Sequence, residues 1–401
     1  MNAIPKPVET DEELRLACDL LARVYRINTP SAREWLYHES GRYPNFRREH
    51  TRIILLGGEV ASALRISTDT ILLGEARLKM GGIGWVATSE SHRGKGLCRR
   101  LMQDAFEYMK ANNYHVSMLF GIPNFYERFD YVTTLADYVI SVDTVEAMTF
   151  QSPLRIRAAK PGDIPVLQRI HSANNADIPC SLLRTAAHFK NRWERWGKWY
   201  VLTDTNGKVE AYFIAHEDGS CLHVDDVGVV EPGFCAAVIN AAAKLASDES
   251  VGSIRFYVPP PHPLARYLLQ FRSTHEMRVE RNAGGMMTFV DVIESFENLI
   301  PEWESLLAKS TACELRTEFT FCVNGATYRV RANRGAVDVA AVPGKNKVTV
   351  SIGDLMHLVT GYRYVEDILA DRRYLVAPDA RCLMSVFFPK RTPYVWRFDR
   401  F

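Results

Sequence analysis

Apolar positions fall into short periodic runs punctuated by glycine, proline and polar residues, and the runs change character twice along the chain. Residues 11–25 place Leu14, Ala17, Leu20, Leu21 and Val24 on one stripe, which predicts an amphipathic helix. The apolar runs 53–56 and 60–64, separated by Gly57-Gly58, predict a hairpin around a glycine turn. A strand is expected over 79–88, a helix over 97–112, a strand over 115–120, and a further helix from Pro123 to about Phe129. Residues 221–230 then read as a strand, Glu231-Pro232-Gly233 as a turn and 234–247 as an alanine-rich helix. A strand over 253–258 and a helical stretch from Leu264 follow. The recurrence of strand, turn, helix, strand and helix suggests a duplicated module.

Beyond residue 310 the alternation at Phe319/Phe321/Val323, Tyr328/Val330, Val337/Val339 and Val348/Val350/Ile352 predicts short strands, closed by a helix over 354–360 that stops at Gly361. The segment 291–309, with Pro301 inside it, reads as a linker. At the far end Tyr394, Trp396 and Phe398 occupy alternate positions, which predicts a strand with one buried face running to Phe401. A buried end would carry its carboxylate inward, where charge must be paired or used. The expected fold class is α+β (mixed α/β), in three units over 1–150, 151–292 and 293–401.

Composition narrows the function classes. Hydrophobic residues make up 47% and charged residues 24% of 401, ordinary values for a soluble globular chain. A net charge of +2 gives no footprint for nucleic acid. No apolar run approaches the ~20 residues of a membrane span, and the N-terminal residues lack a signal-peptide core. The 8 cysteines are scattered without a CxxC pair and the 11 histidines without ligand spacing, so reduced thiols, a cytoplasmic setting and no metal are expected.

The strongest chemical signal is the run Val86-Ala87-Thr88-Ser89-Glu90-Ser91-His92-Arg93-Gly94-Lys95-Gly96-Leu97, followed by Cys98-Arg99-Arg100. A strand enters a glycine-punctuated turn and leaves as a helix. Glycines let backbone N–H groups converge on an anion, the helix N-terminus favours negative charge, and the basic side chains suit a pyrophosphate. The middle module has Glu231-Pro232-Gly233 at the matching turn, where an acidic residue repels a diphosphate. Trp193, Trp196, Trp199 and Tyr200 form an aromatic cluster that reads first as helix packing, with a substrate wall or subunit interface as the other use.

The glycine loop resembles that of the GNAT acetyltransferase superfamily, Q/R-x-x-G-x-G/A, with Ser91 standing where Gln or Arg is usual. The resemblance implies acetyl-CoA as co-substrate. Val86, Ala87 and Thr88 would pair with its pantetheine arm, and Arg93, Gly94, Lys95, Gly96, Leu97, Cys98 and Arg99 would hold the pyrophosphate. The run Leu119 to Tyr131 looks like the GNAT segment ending F-Y-x-x-F-G-Y. Tyr126 matches the tyrosine near the thioester sulfur, a general acid for the leaving thiolate, and Gly121 and Ile122 would add cofactor backbone contacts.

Length, a degenerate second module and a terminal domain like a sterol carrier protein together resemble the Eis (enhanced intracellular survival) acetyltransferases. That resemblance implies N-acetylation of a primary amine, on an aminoglycoside-like or polyamine substrate or on lysine, in a homo-hexamer. It also implies that the carboxylate of Phe401 reaches the first module as the base. N-myristoyltransferases also join two GNAT modules, but the sterol-carrier-like domain does not fit them. A non-catalytic lipid carrier with vestigial modules is the alternative of another class.

Overall fold

The computed structural model describes residues 3–27, 29–193, 197–370 and 375–401. The first strands are β1 (Pro5–Pro7), β2 (Thr51–Leu56), β3 (Glu59–Leu73), β4 (Ala76–Thr88), β5 (Val116–Gly121), β6 (Val132–Leu135) and β7 (Asp137–Asp143). The next are β8 (Arg155–Ala158), β9 (Lys198–Thr203), β10 (Val209–Glu217), β11 (Leu222–Val229), β12 (Ser253–Phe256), β13 (Thr274–Arg278) and β14 (Gly284–Phe289). They build two seven-stranded sheets ordered β1-β2-β3-β4-β5-β14-β6 and β8-β9-β10-β11-β12-β7-β13.

The two sheets share one plan. Each runs antiparallel except for a single parallel pair, β4 with β5 and β11 with β12, each joined over three residue pairs. A helix follows the first parallel strand in both, Leu97–Ala111 and Cys235–Asp248. Two strands change places. β7 leaves β6 after the buried Ala136 and enters the second sheet, while β14 returns from the second half to lie between β5 and β6. Sheet membership therefore crosses the chain positions at which the sequence suggests unit boundaries.

Most predicted elements stand where periodicity puts them. Helix α1 (Asp11–Val24) starts at Thr10, whose hydroxyl accepts the Glu13 N–H, and buries Leu14, Ala17, Leu20 and Leu21. Gly57 and Gly58 turn the β2–β3 hairpin at φ of 61° and 85°. Three expectations fail. The helix from Pro123 is only a 3₁₀ turn, Glu127–Phe129, because Asn124 (φ 55°) and Asp130 (φ 63°) adopt left-handed backbone on either side. The linker 291–309 is a helix, Val292–Ala308: Asp291 caps two N–H groups, and Phe296, Leu299, Trp303 and Leu307 form an inward stripe that overrides Pro301.

The third failure is the terminal strand. Residues 390–396 carry no regular secondary structure and pair with no sheet, and Arg397–Asp399 form a 3₁₀ turn. The alternation is real but serves two cores at once: Tyr394 and Trp396 enter the core of the second sheet, while Val395 enters that of the first and third. Full burial of such side chains stabilises by roughly 1.5–3 kcal/mol each, enough to hold the segment without a ladder. Tyr394 N–H donates to Pro179 O at 2.9 Å and Trp396 Nε1–H to Asn175 Oδ1 at 2.6 Å. Asp399 is fully buried against Arg184, with Nε–H donating at 2.9 Å and Nη2–H at 2.8 Å.

The last sheet, β17-β16-β15-β18, comprises β15 (Arg316–Val323), β16 (Ala326–Asn333), β17 (Ala336–Ala340) and β18 (Lys347–Thr349). Its Phe319 and Phe321 share a continuous core with Leu78 and Met80 of β4, so the third unit packs directly on the first sheet. Trp199 stacks on Trp193 at 4.7 Å and meets Phe398 of the tail edge-on at 5.2 Å, a packing role; Trp196 lies outside the described residues.

Buried histidines make this arrangement sensitive to acid. Burial pushes His262 down to about 3 and His50 down to about 4, and burial with Arg184 close by holds His171 well below the ordinary 6.5. His171 and His262 both lie against Trp396, at 6.3 and 5.5 Å. The unfolded chain takes up protons near pH 6.5 that the folded chain refuses. Stability is therefore complete above pH 6.5 and falls as pH drops, by up to roughly 1.4 kcal/mol per unit for each histidine. Urea midpoints measured from pH 7 to pH 5 should decline, and the H262Q variant should show a shallower slope; a flat native profile contradicts the assignment.

Candidate active site

The site begins with a strand that is bent away from its neighbour. β4 and β5 pair only at Met80–Val116, Gly81–Ser117 and Gly82–Met118, leaving residues 83–88 of one and 119–121 of the other without a mutual ladder. The register of β4 on β3 slips between Ala63 and Arg65, opposite Trp85, whose φ is 52°. Such a bulge, with a bulky residue in left-handed backbone, twists the strand and costs of order 1–3 kcal/mol, a strain typical of functional sites. The far side of β4 stays tied to β3, with Ser62 Oγ donating to Ala87 O at 2.9 Å and Ser89 N–H to Ala61 O at 2.8 Å. The near side is open to a ligand that can complete the ladder.

At the mouth of the splay the loop turns into helix Leu97–Ala111. Gly94 and Gly96 both stand at φ 74°, which side chains resist, with open space beyond each. Gly96 is the N-cap and offers no side-chain acceptor, and the first turn carries no acidic residue. Its N–H groups are thus left for an external anion.

A cavity of about 620 Å³ joins these parts. Among the residues predicted for the site, Val86, Ala87, Thr88, Arg93, Gly94, Gly96, Leu97, Cys98, Arg99, Ile122 and Tyr126 line it. Lys95 instead faces an adjoining hollow with His92 and Arg100. Gly121 lies behind the tyrosine: a Cβ there would stand 2.6 Å from the Tyr126 ring, so glycine lets the ring sit close to β5. Arg128, Phe125, Phe129 and Val24 also line the cavity and were missed, because only the fold brings α1 and the 3₁₀ turn to its walls. Arg128, held over the Phe125 ring at 4.7 Å, adds a cation that the motif did not flag. Tyr25 donates its hydroxyl to Val86 O at 3.2 Å, from the end of α1.

The titratable groups suit proton donation rather than nucleophilic attack. Burial, with Cys98 and Tyr25 beside it, pushes the Tyr126 phenol well above the ordinary tyrosine value, so it keeps its proton. Burial raises the Cys98 thiol to about 11, which leaves little thiolate at neutral pH.

Phe401 arrives on the face of the sheet opposite that helix. Gly81 faces the helix, where a Cβ would strike the Met109 sulfur at 2.2 Å. Gly82 and Gly84 face Phe401: a Cβ on the first would lie 2.3 Å from the ring tip, and on the second 3.3 Å from the carboxyl carbon. The ring also meets Phe120 of β5 at 5.8 Å, and the Arg400 guanidinium covers that ring at 4.8 Å while pairing with Asp137. The carboxyl group of residue 401 and the bulged end of β4 therefore adjoin.

Residues 7–134 match the sequence profile of the acetyltransferase (GNAT) domain. This part of the chain is a GNAT acetyltransferase domain. GNAT-like folds occupy both seven-stranded sheets. No curated protein matches the chain. Among solved structures, a GCN5-related N-acetyltransferase from Anabaena variabilis is 15% identical, with 99% of each chain covered and a TM-score of 0.76. Another from Kribbella flavida is 16% identical over 98% of this chain and 97% of its own, at 0.77. Eis1 from Mycobacterium abscessus is 14% identical over 99% and 100%, at 0.64. At such identities the likeness is one of fold.

The contact between the tail and the GNAT sheet can be tested by stability alone. Gly82→Ala should cost about 1–3 kcal/mol through overpacking, and Phe401→Ala in the same chain should remove most of that cost. A double-mutant cycle by urea unfolding reads the coupling; strictly additive costs would show that the ring does not lie against Gly82.

Proposed function

We propose that the chain is an acetyl-CoA-dependent N-acetyltransferase in which a primary amine attacks the thioester directly. The acceptor is a small polycation, aminoglycoside-like or a polyamine, or a lysine side chain. One observation carries this reading: the splay of β4 and β5 has the phosphate-type loop at its mouth, Tyr126 on its wall and the Phe401 carboxyl group at Gly84.

In this reading the backbone of Val86 to Thr88 completes its ladder with the amides of the pantetheine arm. The pyrophosphate lies on the N–H groups of Gly94 to Leu97, with Arg93, Arg99 and Arg128 supplying charge. Lys95, in the adjoining hollow, meets the outer end of the co-substrate. The Phe401 carboxylate draws the cationic acceptor in and orients it. With an ordinary α-carboxyl pKa of roughly 3.3–3.7 it is a weak base, so a relaying water helps it receive the amine proton. As the C–N bond forms and the C–S bond breaks, the Tyr126 hydroxyl passes its proton to the departing thiolate.

The same reading takes residues 151–292 as a degenerate copy that does not bind CoA, since Glu231 stands at the N-terminal turn of Cys235–Asp248. Residues 293–401 form the sterol-carrier-like unit that presents the tail, within a cytoplasmic hexamer.

Release of CoA from acetyl-CoA with a panel of polyamines and aminoglycosides tests the activity; no turnover with any amine, beside tight lipid binding, would favour a carrier instead. Tyr126→Phe should lower kcat by ~10²–10⁴ with acetyl-CoA affinity nearly unchanged. Residues appended after Phe401 should abolish turnover while calorimetry still shows acetyl-CoA binding. Full activity in the extended chain would remove the carboxylate from the mechanism.

A further inference from the structure

The turn between β10 and β11 gathers three donors of different chemistry. Asp218 stands in the turn, and Cys221 and His223 lie two apart at the head of β11, so both project from one face. Their ligand atoms fall within 4.8 Å of one another. Cys221 Sγ is 3.1 Å from His223 Nε2, and Asp218 Oδ2 is 2.8 Å from the same nitrogen.

One imidazole nitrogen carries at most one proton and can satisfy one of these neighbours only. Protonated, Nε2 donates to the carboxylate and leaves the sulfur pressed against it without a bond. Unprotonated, it accepts from the thiol and faces the carboxylate lone pair against lone pair. A Cys–His–Asp relay does not resolve the conflict, because there thiol and carboxylate bind opposite nitrogens of the ring. A divalent ion at the shared point does, since all three groups then act as lone-pair donors.

We propose that this turn binds one zinc-type divalent ion through Asp218 Oδ2, Cys221 Sγ and His223 Nε2, with water in the fourth position. Thiolate, imidazole and carboxylate together select a borderline-soft ion over magnesium or calcium. Asp218 Oδ1 is already engaged by the N–H groups of Ser220 and Cys221 at 2.9 and 3.1 Å and the Ser220 hydroxyl at 2.7 Å, which leaves Oδ2 to ligate. His223 Nδ1 is 2.8 Å from the Tyr257 hydroxyl, an outer partner that fixes the ring with Nε2 toward the ion. The imidazole plane is near-parallel to the rings of His216 at 4.8 Å and Tyr257 at 5.7 Å. Usual zinc bond lengths imply donor separations of about 3.3–3.6 Å, so closure needs outward shifts of about half an ångström. Exposed Asp218 can supply its own, and rotation of the Cys221 side chain must supply the other. Binding displaces the thiol proton to solvent, and no redox change occurs.

The ion would also bear on the tail. Tyr257 lies under the Arg397 guanidinium at 4.0 Å, and Arg397 pairs with Asp225 at 3.1 Å, four residues before Phe401.

Titration of the metal-stripped full chain with cobalt(II), then zinc, tests the site. The expected result is a thiolate-to-cobalt charge-transfer band saturating at one equivalent and bleached by zinc, with zinc raising Tm. Cys221→Ser should lose the band, and Asp218→Asn, at an exposed position, should weaken binding at least tenfold if the serine variant fails to fold. No band in the native chain, an equal band in Cys221→Ser, or unchanged affinity in Asp218→Asn would overturn the proposal.

Discussion

Arg184 governs where the chain ends. Its side chain is fully buried between Asp226 of β11 and Asp399 of the tail, with Tyr212 donating to the same Asp226 at 3.1 Å. Burial alone would drive the guanidinium toward neutrality, but the two carboxylates hold it charged, well above even its ordinary value. Removing one partner of such a group typically costs 3–5 kcal/mol, because an uncompensated charge is left in the interior. Asp399 thus has one acceptable place, and Phe401, two residues on, lies within about 7 Å of it along the backbone. A charge cluster in the second sheet sets where residue 401 lies on the first.

The acetyltransferase domain was legible where physics is local. The loop from Val86 to Arg100 announces itself through glycine conformation and charge, and nearly every residue it named meets at one cavity. Tyr126, named by its motif, lines the same cavity, and burial keeps its phenol protonated. Lys95 and Gly121 show the limit: a motif names neighbours in sequence, but the turn of the loop at one and the pleat of β5 at the other decide which residues face the cavity.

What escaped the sequence is non-local. The exchange of β7 and β14 leaves no trace in periodicity, since both strands are buried on both faces and read as apolar runs that either sheet would accept. Pro301 made a helix look like a linker, although the Phe296–Leu307 stripe was there to be read. Alternating aromatics at 394, 396 and 398 implied a sheet, whereas a chain wedged between two cores produces the same alternation. The glycines at 82 and 84 are meaningful only once Phe401 is known to lie on them.

The strand exchange bears on how the chain matures on the ribosome. β5 emerges with residue 121, but its partner β14 is complete only at residue 289. At synthesis rates of ~5–20 residues per second, the edge of the first sheet stays unpaired for about 8–34 s. During that interval the open edge is a template for intermolecular pairing. A chain cut anywhere between the two strands would keep that edge open for good, with β4 alone beside β5.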